Sequence, residues 1–226
     1  SSAVEHYNQL QWPSDKEVGD LLGACAYMRG LLTEEGKPCT LGVFGISRGA
    51  GVALLAASSD ADIKAIACDG AFDTQSTLIW FMKRWGQLFA RIGMLYKEHP
   101  EAYWKFLYRL LIHFAQRRLK RRFPSVAKAL REMQPRPLFF IHGKRDSYIR
   151  VDQTELLHSL APSPKYLWIV PKAKHNQAVA TEPENYARRT VAFFDKHLAG
   201  LDIDPAEIAD PIQPDSTPGK PTHGTS

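Results

Sequence analysis

The sequence predicts an α/β fold built on a parallel sheet, and three observations carry that prediction. Short apolar runs that read as strands alternate with longer runs of helical periodicity. The pentapeptide Gly45-Ile46-Ser47-Arg48-Gly49 sits where one strand run gives way to a helical one, a bend tight enough to favour residues without bulky side chains. Three chemically capable side chains, Ser47, Asp146 and His175, each fall just after a different strand run.

The elements follow in order. Ser14-Asp15-Lys16-Glu17 has the Ser-x-x-Glu form of a capping box, and Val18, Leu21, Leu22, Cys25 and Met28 continue at helical spacing. Gly36 and Pro38 end that helix and lead into the strand Leu41 to Ile46. A helix from Ala50 and a second strand, Ile63 to Cys68, come next. Pro137 to Ile141 and Tyr166 to Val170 read as two more strands, and Glu182 to Leu198 as a closing helix stopped by Gly200. Residues 201–226 turn proline-rich and acidic and read as a disordered tail.

Between Asp73 and Gln134 lie about sixty residues of helical pattern, far more than a simple crossover between strands needs. This stretch reads as an insertion. In its middle, Glu101, Lys105, Arg109, His113, Arg117 and Arg121 recur every four residues and leave Tyr103, Trp104, Phe106, Leu107, Leu110, Leu111 and Phe114 as a wide apolar face. A helix of that pattern is expected to bury most of its girth. Aromatics such as Trp80, Phe81, Trp85, Phe89, Tyr96 and Tyr108 pack the insertion's core in the plainer reading and line an apolar substrate pocket in the other.

Composition narrows the function classes. The chain has 226 residues and 44% hydrophobic content, enough for a sizeable core. Cys25, Cys39 and Cys68 form no disulfide or zinc-type spacing, and neither a phosphate-binding Gly-rich loop nor His-Glu-x-x-His is present, so no metal or cofactor is expected. No run is long and apolar enough to span a bilayer and no secretory leader opens the chain, which sets a cytoplasmic expectation. The net charge of +5 is uneven: residues 83–131 hold thirteen Lys and Arg against Glu98 and Glu101, a local +11, leaving −6 for the rest. A solvated helix face ranks first for that basic stretch and an anionic substrate or membrane surface second. Nucleic acid ranks last, because no recognition motif accompanies the charge.

The strand-to-helix turn carrying Ser47 matches a nucleophile elbow, in which the serine projects from the sheet and the helix start behind it offers unpaired N–H groups. His142-Gly143-Lys144-Arg145-Asp146 places an acid three residues past a glycine turn, and Pro171-Lys172-Ala173-Lys174-His175-Asn176 places a histidine in the loop after the last strand. In this order the serine is the nucleophile, the histidine its base and the aspartate the group that orients the imidazole. Asp69, which also follows a strand, is the competing acid. His142 reads as structural, His158 as solvated on a helix, and Asp152 as a cap.

On these residues the chain resembles the α/β-hydrolases, and Gly-Ile-Ser-Arg-Gly-Ala-Gly is similar to the dienelactone-hydrolase and prolyl-oligopeptidase-like branches. The resemblance covers about residues 14 to 199. It implies an α/β-hydrolase-like parallel sheet with flanking helices and a helical cap, organised as hydrolase core over 1–72, cap over 73–134, the rest of the core over 135–200, and tail over 201–226. It further implies a serine hydrolase acting on a small-molecule carboxylic ester through Ser47, Asp146 and His175, with the Arg48 backbone N–H as one oxyanion donor. A peptidase or amidase of the same mechanism, and a non-catalytic interaction protein of this fold, are the alternatives. One departure stands out: the family places further strands and a second oxyanion donor before the elbow strand, so the N-terminal part of the fold is expected to be missing here.

Overall fold

The computed structural model describes residues 12–89 and 99–210; Tyr96 and the stretch 211–226 lie outside them. Four strands, β1 (Leu41–Ile46), β2 (Ile63–Asp69), β3 (Leu138–Gly143) and β4 (Lys165–Val170), pair in parallel in the order β1-β2-β3-β4. The helices are α1 (Asp15–Glu34), α2 (Arg48–Ser59), α3 (Thr74–Phe89), α4 (Glu101–Leu119), α5 (Val126–Glu132), α6 (Val151–Leu160), α7 (Ala178–Thr181), α8 (Pro183–Phe194) and α9 (Pro205–Ile208). A π-helical turn, Asp195–Ala199, follows α8.

Strand alternation divides the core into two layers. On one face Ile66, Cys68, Leu138 and Phe140 pack against Cys25 of α1, Leu54 of α2, Leu130 of α5 and Leu157 of α6. On the other, Ala65, Ala67, Phe139 and Ile141 meet Tyr186 and Phe193 of α8. A parallel sheet covered on both faces needs apolar residues at successive positions, and β3 is buried along its whole length. Among the described residues β1 pairs with β2 alone, and Phe44 and Ile46 on it are 36% and 45% exposed.

Three details depart from the sequence reading. Residues 201–210, read as the start of a disordered tail, pack on the sheet: Ile208 is fully buried, and the Arg189 guanidinium donates to the Ile208 carbonyl at 3.1 Å and to Asp210 at 2.8 Å. His158, read as solvated, lies against the ring of Phe140 and is pushed down to about 4 by burial. The third is α4. Trp104 and Tyr108 bury against Ile79 of α3, but Phe106, Leu110, Leu111 and Phe114 remain exposed, so the helix buries one narrow stripe rather than most of its girth.

Candidate active site

The sharp passage from β1 to α2 is built by Gly45 and Ser47. A Cβ on Gly45 would come within 2.4 Å of the Gly49 carbonyl oxygen, so only glycine lets the first turn of α2 fold back on the strand. Ser47 itself takes φ 53° and ψ −117°, a conformation that costs a non-glycine residue about 1–3 kcal/mol and persists where its surroundings enforce it. The enforcing contacts are local. The Ser47 N–H donates to the Asp69 carbonyl at 2.7 Å, and the Ser47 carbonyl accepts from Ala50 at 3.0 Å. Arg48 ties this turn to α1: its Nε meets Glu17 at 3.1 Å, and the same carboxylate accepts the Ser14 N–H at 3.1 Å.

Two loops deliver the partners. Gly143 at the end of β3 lies so close to the loop after β4 that an added Cβ would sit 2.5 Å from the Ala173 carbonyl oxygen. The acid-bearing and histidine-bearing loops are thereby pressed together, and the Arg145 N–H donates to that carbonyl at 2.9 Å. Ser47 Oγ lies 2.9 Å from His175 Nε2, and His175 Nδ1 lies 2.6 Å from Asp146 Oδ2. The structure therefore brings together all three residues singled out in the sequence. The Asp146 side chain is 1% exposed and that of His175 19%, a buried acid behind a base open to solvent on one side.

Electrostatics fix the protonation. Burial would raise the Asp146 carboxyl, but the hydrogen bond from His175 and the backbone N–H groups of Ile149 at 2.9 Å and Tyr148 at 2.8 Å hold it below the ordinary carboxylate range. With Asp146 ionised, Nδ1 of His175 carries the proton and Nε2 is left to accept from Ser47. Asp69 is different in kind. It is 2% exposed, accepts the Tyr186 hydroxyl at 3.1 Å, and burial pushes it up to about 6. Its carboxylate makes no hydrogen bond to His175 among the described residues; what it gives the site is the backbone carbonyl that holds Ser47.

Beneath the site His142 is structural, as its sequence position suggested, while its partners and the placement of Tyr148 were not legible beforehand. His142 is wholly buried beneath the acid loop, with Nε2 3.0 Å from the Ile149 carbonyl oxygen and Nδ1 2.8 Å from Thr154 Oγ1, whose hydroxyl reaches the Ala71 carbonyl. Burial keeps its imidazole below the ordinary histidine range. Tyr148 stands 5.3 Å from the His175 ring and 6.2 Å from Phe81, linking the site to α3. A cleft of about 590 Å³ opens between α3, α4, α5 and α6, lined by Ile79, Trp80, Lys105, Arg131 and Gln153 among others. None of Ser47, Asp146 and His175 lines it. Among the described residues no group of three His, Cys, Asp or Glu side chains is placed to hold a metal ion, and no helix is long and apolar enough to cross a membrane.

Neither a known family profile nor a curated protein sequence matches this chain. Solved structures do. An esterase of Pyrococcus furiosus, Pf2001, superposes with a TM-score of 0.57 at 24% identity over 81% of this chain and 63% of its own. The acylaminoacyl peptidase of Pyrococcus horikoshii gives 0.53 at 19% identity, over 80% of this chain and 28% of its own. An α/β hydrolase enzyme from a Medee basin deep-sea metagenome library, MGS-M2, gives 0.50 at 16% identity over 80% and 72%. With the parallel sheet and the β1–Ser47–α2 turn, these likenesses show the α/β-hydrolase fold. The chain spans 62% to 63% of the length of the Pf2001 esterase structures.

Proposed function

We propose that the chain is a serine hydrolase that cleaves a carboxylic ester through an acyl-enzyme. The observation that supports this best is the unbroken hydrogen-bonded series Ser47 Oγ, His175 Nε2, His175 Nδ1 and Asp146 Oδ2, at 2.9 and 2.6 Å. In it Ser47 Oγ attacks the carbonyl carbon as its proton passes to Nε2, and the ionised Asp146 stabilises the imidazolium that forms. The tetrahedral oxyanion sits at the N-terminus of α2, where the Arg48 N–H stands in the first turn, beside the end of the helix that favours negative charge. Collapse breaks the ester C–O bond and the leaving alkoxide takes the proton from Nε2. Water, deprotonated by the same nitrogen, then attacks the acyl-serine and returns Ser47 and the carboxylic acid.

Fold alone does not assign chemistry, so the test is direct. The purified chain is assayed with p-nitrophenyl esters of two- to eight-carbon acids and with the matching p-nitroanilides, beside Ser47→Ala. The proposal expects an initial release of one p-nitrophenol per chain and ester turnover well above anilide turnover, both lost in the variant. Anilide rates equal to ester rates would make the protein an amidase or peptidase. Wild-type rates no higher than those of Ser47→Ala would make it a non-catalytic protein of this fold.

A further inference from the structure

The outer face of α4 is where the apolar pattern of the sequence and the packing of the structure disagree. Tyr103, Phe106, Leu110 and Phe114 fall at i, i+3, i+7 and i+11, one stripe along the helix. They are 37%, 61%, 45% and 60% exposed, while the helix meets α3 through Trp104 and Tyr108 on a different side. Three rings and a leucine in a continuous row exceed the scattered apolar exposure that any protein surface carries. Arg117 prolongs the same stripe by one turn, Arg109 lies about a quarter of the circumference from its midline, and Lys120 to Arg122 follow its end, where Asp15 accepts the Arg122 N–H at 2.9 Å; Lys105 lies farther round and faces the cleft toward α3. None of these cations is paired with a carboxylate among the described residues.

We propose that this face of α4 docks the protein on the surface of an anionic lipid bilayer, with Phe106, Leu110 and Phe114 entering the headgroup boundary and the flanking cations meeting lipid phosphates. Charge chooses the occupant. A second copy of this chain seated antiparallel on the stripe would cover the apolar row but would bring Arg117 to Arg122 toward a carboxylate, Glu101, that Lys83 already pairs with. An acidic protein or a nucleic acid would satisfy the cations but would leave the four apolar side chains without a reason to be aligned beside them. A helix with an apolar stripe, a basic flank and too little apolar length to span is the form that lies in a membrane interface. The inference is independent of the reaction at Ser47, and its readout is binding.

The test is co-sedimentation of the full chain with vesicles of phosphatidylcholine containing 30% phosphatidylglycerol, beside vesicles of phosphatidylcholine alone. Binding to the anionic vesicles is expected to exceed binding to the neutral ones by at least about tenfold and to weaken steeply between 50 and 500 mM salt, since each cation near such a surface is worth roughly fivefold in partition. The double variant Phe106→Ser, Phe114→Ser should lose about tenfold or more in partition. Arg109→Gln with Arg117→Gln should lose a similar factor. All four side chains are exposed, so each variant should keep the wild-type circular dichroism and melting temperature.

Three results overturn the proposal. The first is no binding to anionic vesicles, and the second is binding that the serine variant leaves unchanged, which would mean charge attraction alone. The third is a lipid-free dimer in sedimentation velocity that the serine variant dissolves, which would assign the stripe to a second copy.

Discussion

Replacing Asp146 by asparagine isolates the acid's role, because the hydrogen bonds around it force the outcome. Asp146 Oδ1 accepts two backbone N–H groups, from Tyr148 at 2.8 Å and Ile149 at 2.9 Å, and Oδ2 faces His175 Nδ1 at 2.6 Å. An asparagine must place its carbonyl oxygen where the two N–H groups point, so its NH₂ is turned toward Nδ1. Nδ1 then accepts, the proton moves to Nε2, and Nε2 can no longer take the proton of Ser47. Loss of the productive tautomer costs about 10⁴-fold in kcat, close to 5 kcal/mol of transition-state stabilisation. The volume and backbone contacts are retained, so the melting temperature should move little. Steady-state kinetics on a p-nitrophenyl ester, with Asp69→Asn alongside, read the effect. Asp69→Asn keeps the Tyr186 contact and should lose less than about tenfold. A loss below tenfold in Asp146→Asn, or a larger one in Asp69→Asn, would refute the assignment of the acid.

Three further outcomes follow from the geometry. Asp69 titrates in the folded protein at about 6 against an ordinary 3.8, raised by burial. Its contribution to stability is therefore fully present below the unfolded value and lost as pH rises through 6. Asp69→Asn removes that loss and should stabilise the protein at pH 8 by up to about 3 kcal/mol relative to its effect at pH 4. Equal shifts in melting temperature at the two pH values would contradict this. At Ser47, with φ 53°, Ser47→Gly should be about 1–3 kcal/mol more stable than Ser47→Ala, both being inactive; denaturant melts showing the alanine variant to be the more stable would mean that the turn stores no strain. In α4, Trp104→Ala should cost about 3–5 kcal/mol because Trp104 is 4% exposed, whereas Phe106→Ala, at 61%, should stay within about 0.5 kcal/mol. Similar costs for the two would show that the outer face of α4 packs against something in the folded chain.

What the sequence revealed and what it hid divide along contact range. The β1–Ser47–α2 turn, the acid loop after β3 and the histidine loop after β4 were readable because each is written in neighbouring residues: an apolar run, then a glycine or proline, then the functional side chain. The contacts that hold these residues in place join residues far apart in the chain. Tyr186 meets Asp69 across 117 positions, and Thr154 meets the Ala71 carbonyl across 83. No local pattern marks such pairs. The packing of Ile208 was hidden for a related reason, since Leu201, Ile203 and Ile208 scattered among Asp, Pro, Glu and Ala give no periodic signal, and only the sheet face beside Tyr186 and Phe193, with Arg189 on its carbonyl, shows why Ile208 is buried. The outer stripe of α4 misled in the opposite sense, because periodicity says which residues share a face and not whether anything covers it.

The central claim, an activated nucleophile at Ser47, is most directly tested by labelling the folded chain with a fluorophosphonate and locating the adduct by mass spectrometry. The account predicts one label per chain on Ser47, none on Ser47→Ala, and labelling slowed by orders of magnitude in His175→Ala. A folded, monodisperse wild-type sample that takes no label, or takes it on another residue, would contradict it.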